Sequence, residues 1–397
     1  MRQPRQCGRA DSTRPVILCF AGDVWDGNPH SRHHLMRRFT ARWDVLFIEG
    51  VPMRSFARAD RAELGRVMAK LRARVGLRTV TDGLHVLRPL PVPPAGAAGR
   101  RAQLTALRLQ ILRARRRLGL RGPALSWFSL PVVAPLRGRL GEQGSLFYYQ
   151  DRYDAFSHVD GERLRSHVAA LARGCDACVA SSEPLAADLR ELDAQPVVVP
   201  HGVDADRFAA PTEVPADLAR LEQPLVGCVG LVDDHLDFDA ILAVARCLKR
   251  GTVVLVGAVN SGAGRLSHPR VALIGHRPYE QMPAYLNAFS CCLVPFAVNR
   301  LTYGVNPIKL REYLAAGRPT VATSLPEVEP YGDVVELARS PEDFATLTRQ
   351  LLEGEPDSEE LRARRRLRVA GESWDLAAQR IEGMMLELLK PGPGGRL

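Results

Sequence analysis

The chain has 397 residues, 46% hydrophobic and 25% charged, the balance of a globular protein with two to three domains' worth of core. No apolar run reaches the roughly eighteen residues that a membrane-spanning helix needs. Its formal charge is +10, which directs attention to anionic partners.

Taken in chain order, Met1–Arg14 is basic and polar and is expected to be a disordered leader. The apolar stretch Val16–Ala21 is too short for a signal peptide, so a cytoplasmic protein is expected. Strands are predicted at Pro15–Ala21, Asp44–Glu49, His85–Leu90, Ser145–Tyr149, Ala177–Ala180 and Pro196–Val199. Short apolar runs alternating with helical patterns imply a parallel sheet covered on both faces. Between Arg54 and Arg121 seventeen basic residues stand against three acidic ones, with Arg113, Arg115, Arg116 and Arg117 the densest cluster. Leu104, Leu107, Leu109, Ile111, Leu112 and Leu118 run through this stretch at helical spacing. Such a basic amphipathic helix suits an anionic membrane surface, with a solvated face as the bland reading and nucleic acid as the weakest. Cys175-Asp-Ala-Cys178 has no second pair with histidines after it, so buried thiols are expected rather than zinc.

The series then restarts with Leu225–Val229, Thr252–Val256, Val271–Ile274, Cys291–Val294 and Pro319–Ala322. A second α/β domain is therefore expected from about residue 208, after a connector Phe208–Gln223 broken by Pro211 and Pro215. Gly230, Gly257 and Gly275 each follow a strand, where backbone can approach phosphate. None lies in a Gly-x-Gly-x-x-Gly array, which disfavours a dinucleotide redox cofactor. The strings Asp204-Ala-Asp206 and Asp237-Phe-Asp239 read as solvated acids.

The segment richest in chemistry is Val294–Thr323. A strand ends at Pro295, a polar loop carries Thr302, and Asn306 and Pro307 have N-cap and first-turn character. Lys309 and Glu312 then share one helix face. Lys309 can reach a diphosphate with help from the helix N-terminus, and Glu312 can accept two ribose hydroxyls, a nucleotide site that needs no metal. The alternative is a weak i,i+3 surface ion pair.

Asn306–Gly317 matches the pattern Asn-Pro-x-Lys-x-x-Glu-Tyr-x-Ala-x-Gly and resembles the donor helix of GT-B glycosyltransferases of the bacterial exopolysaccharide type, group 1/family 4-like and close to xanthan-type glucuronosyltransferases. Pro200-His-Gly-Val-Asp204, Gly275-His276-Arg277 with Tyr279, and Ser373-Trp374-Asp375 resemble other stations of the same superfamily. The resemblance implies two Rossmann-like doubly wound α/β domains facing a cleft. The N-terminal one (15–207) would bind acceptor and the C-terminal one (208–372) the nucleotide-sugar donor, with a last helix in 373–397 crossing back. It implies donor contacts from Gly230, Gly257, His276, Arg277, Thr302, Asn306, Pro307, Lys309, Leu310 and Glu312. His201, in the interdomain segment, would contact donor phosphate or cap a turn. Retaining members carry Glu-x7-Glu. Here Glu312 fills the second place and Gly304 the first, which implies inversion.

An inverting transfer needs a base for the acceptor hydroxyl. Asp151, after the strand Ser145–Tyr149, is the first candidate, with an N-cap or an ion pair to Arg152 as its bland reading. Asp154 and His30 are further candidates. In the loop before and into the helix near Ser31, Asp23, Trp25, Asn28, His33 and His34 are expected to face acceptor, and His30, His33 and His34 are not expected to converge on a metal. The expected activity is transfer of a sugar from a nucleoside-diphosphate sugar to a lipid-linked or other hydroxyl acceptor in polysaccharide or glycoconjugate biosynthesis. No cofactor or metal is expected, nor nucleic acid as a partner, and the inner membrane face is the expected surface. A nucleotide-sugar 2-epimerase and a non-catalytic binding module on the same fold stand as alternatives.

Overall fold

The computed structural model describes residues 12–50, 76–90, 96–156, 159–260, 262–354 and 356–390. Met1–Asp11 of the expected leader and the basic residues from Arg54 to Arg74 lie outside them. Ser12–Arg14 do not behave as a leader. The Ser12 amide donates to the Gly119 carbonyl at 2.9 Å, and an Arg14 Nη2–H donates to the Trp43 carbonyl at 3.1 Å.

The chain divides into two compact units. One takes in the chain to Ser181, Leu185–Val199 and Ala378 onward; the other takes in Ser182–Pro184 and Pro200–Ala377. In chain order the first unit contains β1 (Val16–Phe20), α1 (Ser31–Phe39), β2 (Asp44–Ile48), β3 (Gly76–Thr81), β4 (Leu84–Arg88), α2 (Gly96–Leu118), β5 (Ala124–Phe128), β6 (Gly144–Tyr149), α3 (Gly161–Gly174) and β7 (Ala177–Ala180). Helix α4 (Glu183–Arg190) begins in Ser182–Pro184, and β8 (Pro196–Val198) completes the sheet. The sheet order is β3-β4-β2-β1-β5-β6-β7-β8. Its pairs are parallel except for β3 against β4. Strands β1, β2 and β5 are buried at every position, as a sheet sandwiched by helices requires. Helix α2 sets Leu107, Ile111 and Ala114 into that core and leaves Leu109 exposed.

The second unit runs α5 (Ala205–Ala209), β9 (Leu225–Val229), α6 (Phe238–Cys247), β10 (Thr252–Val256), β11 (Val271–Gly275), α7 (Met282–Ala288), β12 (Cys291–Val294), α8 (Ile308–Ala315), β13 (Thr320–Thr323), β14 (Glu336–Ala338), α9 (Pro341–Glu353) and α10 (Glu359–Val369). Its sheet is parallel in the order β11-β10-β9-β12-β13-β14, the doubly wound arrangement with a switch point between β9 and β12. Helix α11 (Trp374–Leu388) is shared: residues to Ala377 belong to the second unit and those from Ala378 to the first. Phe208, expected in a connector, is fully buried in the second unit's core beside Tyr279 and Leu310.

Three strands escaped the sequence reading. β3 is an edge strand with a mostly exposed pattern, so it has no continuous apolar run. β5 carries a buried serine, Ser126, in mid-strand, which interrupts its run. β14 is a three-residue edge, Glu-Leu-Ala.

Candidate functional site

In a doubly wound sheet, ligands collect beyond the strand carboxyl ends at the switch point. The loop after β12 therefore matters most in the second unit, and it is internally braced. Asn299 Oδ1 accepts the Leu301 amide at 2.9 Å and the Thr302 amide at 3.0 Å. The Thr302 hydroxyl accepts the Asn299 amide at 3.1 Å and donates to the Ala297 carbonyl. Thr302 is fully buried, so it shapes the loop instead of contacting a donor as expected.

Helix α8 begins at Ile308 with Pro307 as its N-cap and no side chain capping its amides. Uncapped amides at a helix start favour an anion. Lys309 Nζ donates to Glu312 Oε2 at 2.8 Å; the lysine side chain is 30% exposed and the glutamate 2%. Burial on one side distinguishes the pair from a loose surface contact. Glu312 Oε1 is buried with no hydrogen-bond partner among the described residues, an unsatisfied acceptor of the kind that calls for an explanation. Lys309 Nζ also stands 5.7 Å from the Tyr279 ring centre, and burial followed by the Glu312 charge pushes the Tyr279 phenol upward. Leu310, one residue on and about 100° around the helix, is fully buried in the apolar core. Its side chain packs, so only its amide, among the first of the helix, faces the helix start.

Asn306 was expected to cap the helix or touch donor. Its side chain instead braces other segments. Oδ1 accepts the His201 amide at 3.1 Å, the His201 ring nitrogen Nδ1 donates to the Asn306 carbonyl at 2.9 Å, and Asn306 Nδ2 donates to Glu327. The His201 ring lies 5.8 Å from Trp374. A side chain at Gly202 would strike the Trp374 amide at 2.3 Å, so only glycine fits there. Nearby, the buried Arg311 donates from Nε to Glu372 at 2.7 Å, and the Tyr331 hydroxyl reaches the same carboxylate at 2.6 Å. These contacts fix the helix that presents Lys309 and Glu312.

The amides of two strand-end glycines are already engaged. The Gly230 amide donates to the Val256 carbonyl and the Gly257 amide to the Gly275 carbonyl, each at 3.0 Å. Their amides thus lace neighbouring strand ends together and are not open to a ligand. A Cβ at Gly257 would come within 1.7 Å of the Gly230 carbonyl oxygen, which explains this glycine by close packing. Arg277 donates to Asp217 Oδ2 and to the Tyr285 hydroxyl, each at 2.9 Å. Burial works to raise the Asp217 carboxyl, but Tyr285 and Arg277 hold it below its ordinary value. His276 beside it is exposed.

The first unit gathers polar groups beyond β1 and β6. Asp23 is bound by Arg32 through Nε at 2.7 Å and through Nη2. Burial works to raise this carboxyl, yet the Arg32 charge, aided by His30, holds it low. Asp23 is therefore a poor base. Ser31 donates to Gln150 Oε1 at 2.7 Å, and Gln150 Nε2 donates to Asp151 Oδ2 at 3.2 Å. Asp151 is partly exposed, and its neighbour Arg152 pairs with Asp188 at 2.6 Å. Asp154 has a side chain only 3% exposed and pairs with Arg165 at 3.4 Å.

Arg32 and Tyr153 went unremarked in the sequence. Both are buried, and Arg32 Nη1 and the Tyr153 hydroxyl lack hydrogen-bond partners among the described residues. The Arg32 charge acts on Tyr153, and Asp151 acts on both. Only the aspartate nine residues before Arg32 hinted at this.

His33, expected to face acceptor, is fully buried. Its Nδ1 accepts the His30 amide at 3.0 Å and its Nε2 donates to the Val24 carbonyl at 3.2 Å. Trp25 packs edge-on against Phe47, with ring centres 4.9 Å apart, and its amide donates to Glu49 at 2.6 Å. His34 is likewise buried. These three order the loop from within, whereas Asn28 and His30 remain exposed on it.

Residues 223–354 match the family model described as Glycosyl transferases group 1. TuaH of Bacillus subtilis (strain 168), assigned to teichuronic acid biosynthesis as a glycosyltransferase, is 27% identical over 194 residues, 46% of this chain. The alignment spans 49% of TuaH, about half its length. Among solved structures, sucrose-phosphate synthase from Thermosynechococcus elongatus has a TM-score of 0.72 and 17% identity, covering 94% of this chain and 99% of that one. Anabaena HepE in complex with UDP and glucose has a TM-score of 0.66 and 14% identity, covering 94% and 100%. At these identities the structures speak for fold. Residues 223–354, about a third of the chain, match the Glycosyl transferases group 1 model, and the chain that carries them has the GT-B fold.

Proposed function

We propose that the chain transfers a sugar from a nucleoside-diphosphate sugar to a hydroxyl acceptor. The observation that carries the reading is the half-buried Lys309–Glu312 pair at an uncapped helix start, with one carboxylate oxygen buried and unpartnered among the described residues. Lys309 and the α8 amides neutralise the diphosphate as it becomes the leaving group, so charge is met where it develops. Glu312 accepts the ribose hydroxyls. Asp151 takes the proton of the acceptor hydroxyl as its oxygen attacks the anomeric carbon. Direct displacement inverts that carbon, and no metal takes part, since the helix terminus and lysine supply the positive charge. His276, exposed beside Arg277, is the remaining donor contact.

The acceptor is a lipid-linked saccharide or related hydroxyl compound of bacterial polysaccharide or glycoconjugate synthesis. That TuaH is assigned to teichuronic acid biosynthesis supports this choice. Among the described residues no helix is long and apolar enough to cross a membrane, and the reading has the chain working at the inner membrane face through its basic first unit.

The deciding experiment incubates the chain with UDP-sugars, alone and with hydroxyl acceptors, and resolves products by mass and by anomeric configuration. A new glycoside of inverted configuration is expected. Epimerised donor without acceptor would replace this reading with a 2-epimerase, and donor binding without any product would leave a binding module.

A further inference from the structure

A cavity of about 480 Å3 opens in the first unit between α2, the turn Pro131–Leu136 and the start of α3. Its wall carries Arg100, Arg101, Arg108, Arg139, Arg163 and His167. No carboxylate lines it, and none of the five guanidinium groups forms an ion pair among the described residues. Two acids near its rim are engaged with backbone: Asp160, the N-cap of α3, accepts the Arg163 amide at 3.1 Å, and Glu142 accepts the Gly138 and Leu140 amides at 2.7 and 2.8 Å. The floor is apolar, formed chiefly by Leu104 and Leu136.

Arg100, Arg108 and Arg163 are partly buried, while Arg101 and Arg139 are exposed at the rim. Arg108 Nε donates to the Arg139 carbonyl at 2.7 Å, tying α2 to the segment after the turn. His167 Nδ1 is buried without a hydrogen-bond partner among the described residues. Burial and then Arg100 lower the Arg163 guanidinium, and burial and then Arg163 lower the His167 imidazole. Crowded cations without a counter-charge repel one another, and a bound anion removes that repulsion. Guanidinium forks match phosphate oxygens in geometry.

We infer that this cavity binds a phosphate or diphosphate ester whose hydrocarbon part lies on the Leu104–Leu136 floor. The site is separate from the donor helix, and the inference does not rest on the proposed transfer. Its occupant is either a lipid head group or a soluble phosphate ester.

The test uses the full chain carrying Lys309→Ala, so that the donor helix does not contribute. Binding of inorganic pyrophosphate is measured by calorimetry, and binding to phosphatidylcholine vesicles with and without phosphatidic acid by flotation. Arg100→Gln/Arg163→Gln is compared with Arg113→Gln/Arg117→Gln, which removes the same charge from α2 outside the cavity. Melting curves check that both fold. We expect the cavity variant to lose at least tenfold in affinity and the control to stay within twofold. Loss confined to pyrophosphate assigns a soluble ester, and loss confined to phosphatidic acid vesicles assigns a lipid head group. Equal losses in both variants, or no binding by the parent chain to either probe, would overturn the site.

Discussion

His201 and Asn306, 105 residues apart, grip each other twice: amide to side-chain carbonyl at 3.1 Å, and ring nitrogen to main-chain carbonyl at 2.9 Å. The segment Pro200–Val203 and the start of the donor helix are thereby one piece. Asn306→Ala removes a partner from a buried amide and from Glu327. A loss of about 2 kcal/mol in stability is expected, read as a lower denaturation midpoint. Asn306→Asp should be worse still, because a second carboxylate would then face Glu327. A midpoint unchanged in both variants would show that the double contact is idle.

At the donor helix, Lys309→Ala should weaken UDP binding by about 2 kcal/mol, roughly thirtyfold in Kd. Glu312→Gln keeps the shape but weakens acceptance of ribose hydroxyls, so it should weaken UDP more than inorganic pyrophosphate. Calorimetric titration of both ligands reads the two effects separately. Unchanged UDP affinity in Lys309→Ala would remove the donor assignment.

Asp151→Asn is expected to lower turnover about a thousandfold, within the range of a general base, while UDP binding stays as in the parent chain. Asp154→Asn should leave turnover within a few fold, since that carboxylate is nearly buried and paired with Arg165. If the two variants exchange these outcomes, the base has been misassigned.

His33 gives a pH dependence of stability. Burial chiefly holds this imidazole down at about 4 in the folded chain, against about 6.5 when unfolded. As pH falls below about 6.5 the unfolded chain takes up a proton that the folded chain refuses. Stability should therefore drop with falling pH from about 6.5 to about 4, by up to about 1.4 kcal/mol per pH unit from this group. His33→Gln should flatten that slope in melting curves recorded across the window; an unaltered slope would trace the effect elsewhere.

Gly257→Ala forces a methyl to within 1.7 Å of the Gly230 carbonyl oxygen. The strand ends must part, and a marked fall in melting temperature is expected. Gly264→Ala, where the added carbon meets nothing within 4 Å, is the matched control and should change little.

How far the sequence foretold this arrangement depends on what each residue had to reveal. Strands buried on both faces, such as Val16–Phe20 and Leu225–Val229, show themselves as apolar runs. Strands at an edge or with a polar centre do not, and β3, β5 and β14 were missed for that reason. The donor motif located Lys309 and Glu312 because three residues along a helix return to one face. The match carried no information on side-chain direction, so it drew in Leu310, and the polar loop before it drew in Thr302; both side chains are buried. The histidines of the first loop were expected to face acceptor, whereas burial and pairing, invisible in sequence, make His33 and His34 structural. Arg32 was overlooked because nothing local marks an arginine as buried.

Helix α11 places part of the first unit at the far end of the chain. Ile381 and Met385 are fully buried, and Glu382 accepts the Trp43 indole N–H at 2.9 Å. During synthesis the ribosome finishes β8 well before it makes these residues. The unit begun first must therefore wait, one helix short, until the other has been made. A polypeptide ending near residue 199 would emerge with apolar surface uncovered and a tryptophan lacking its carboxylate, a state prone to chaperone capture or aggregation.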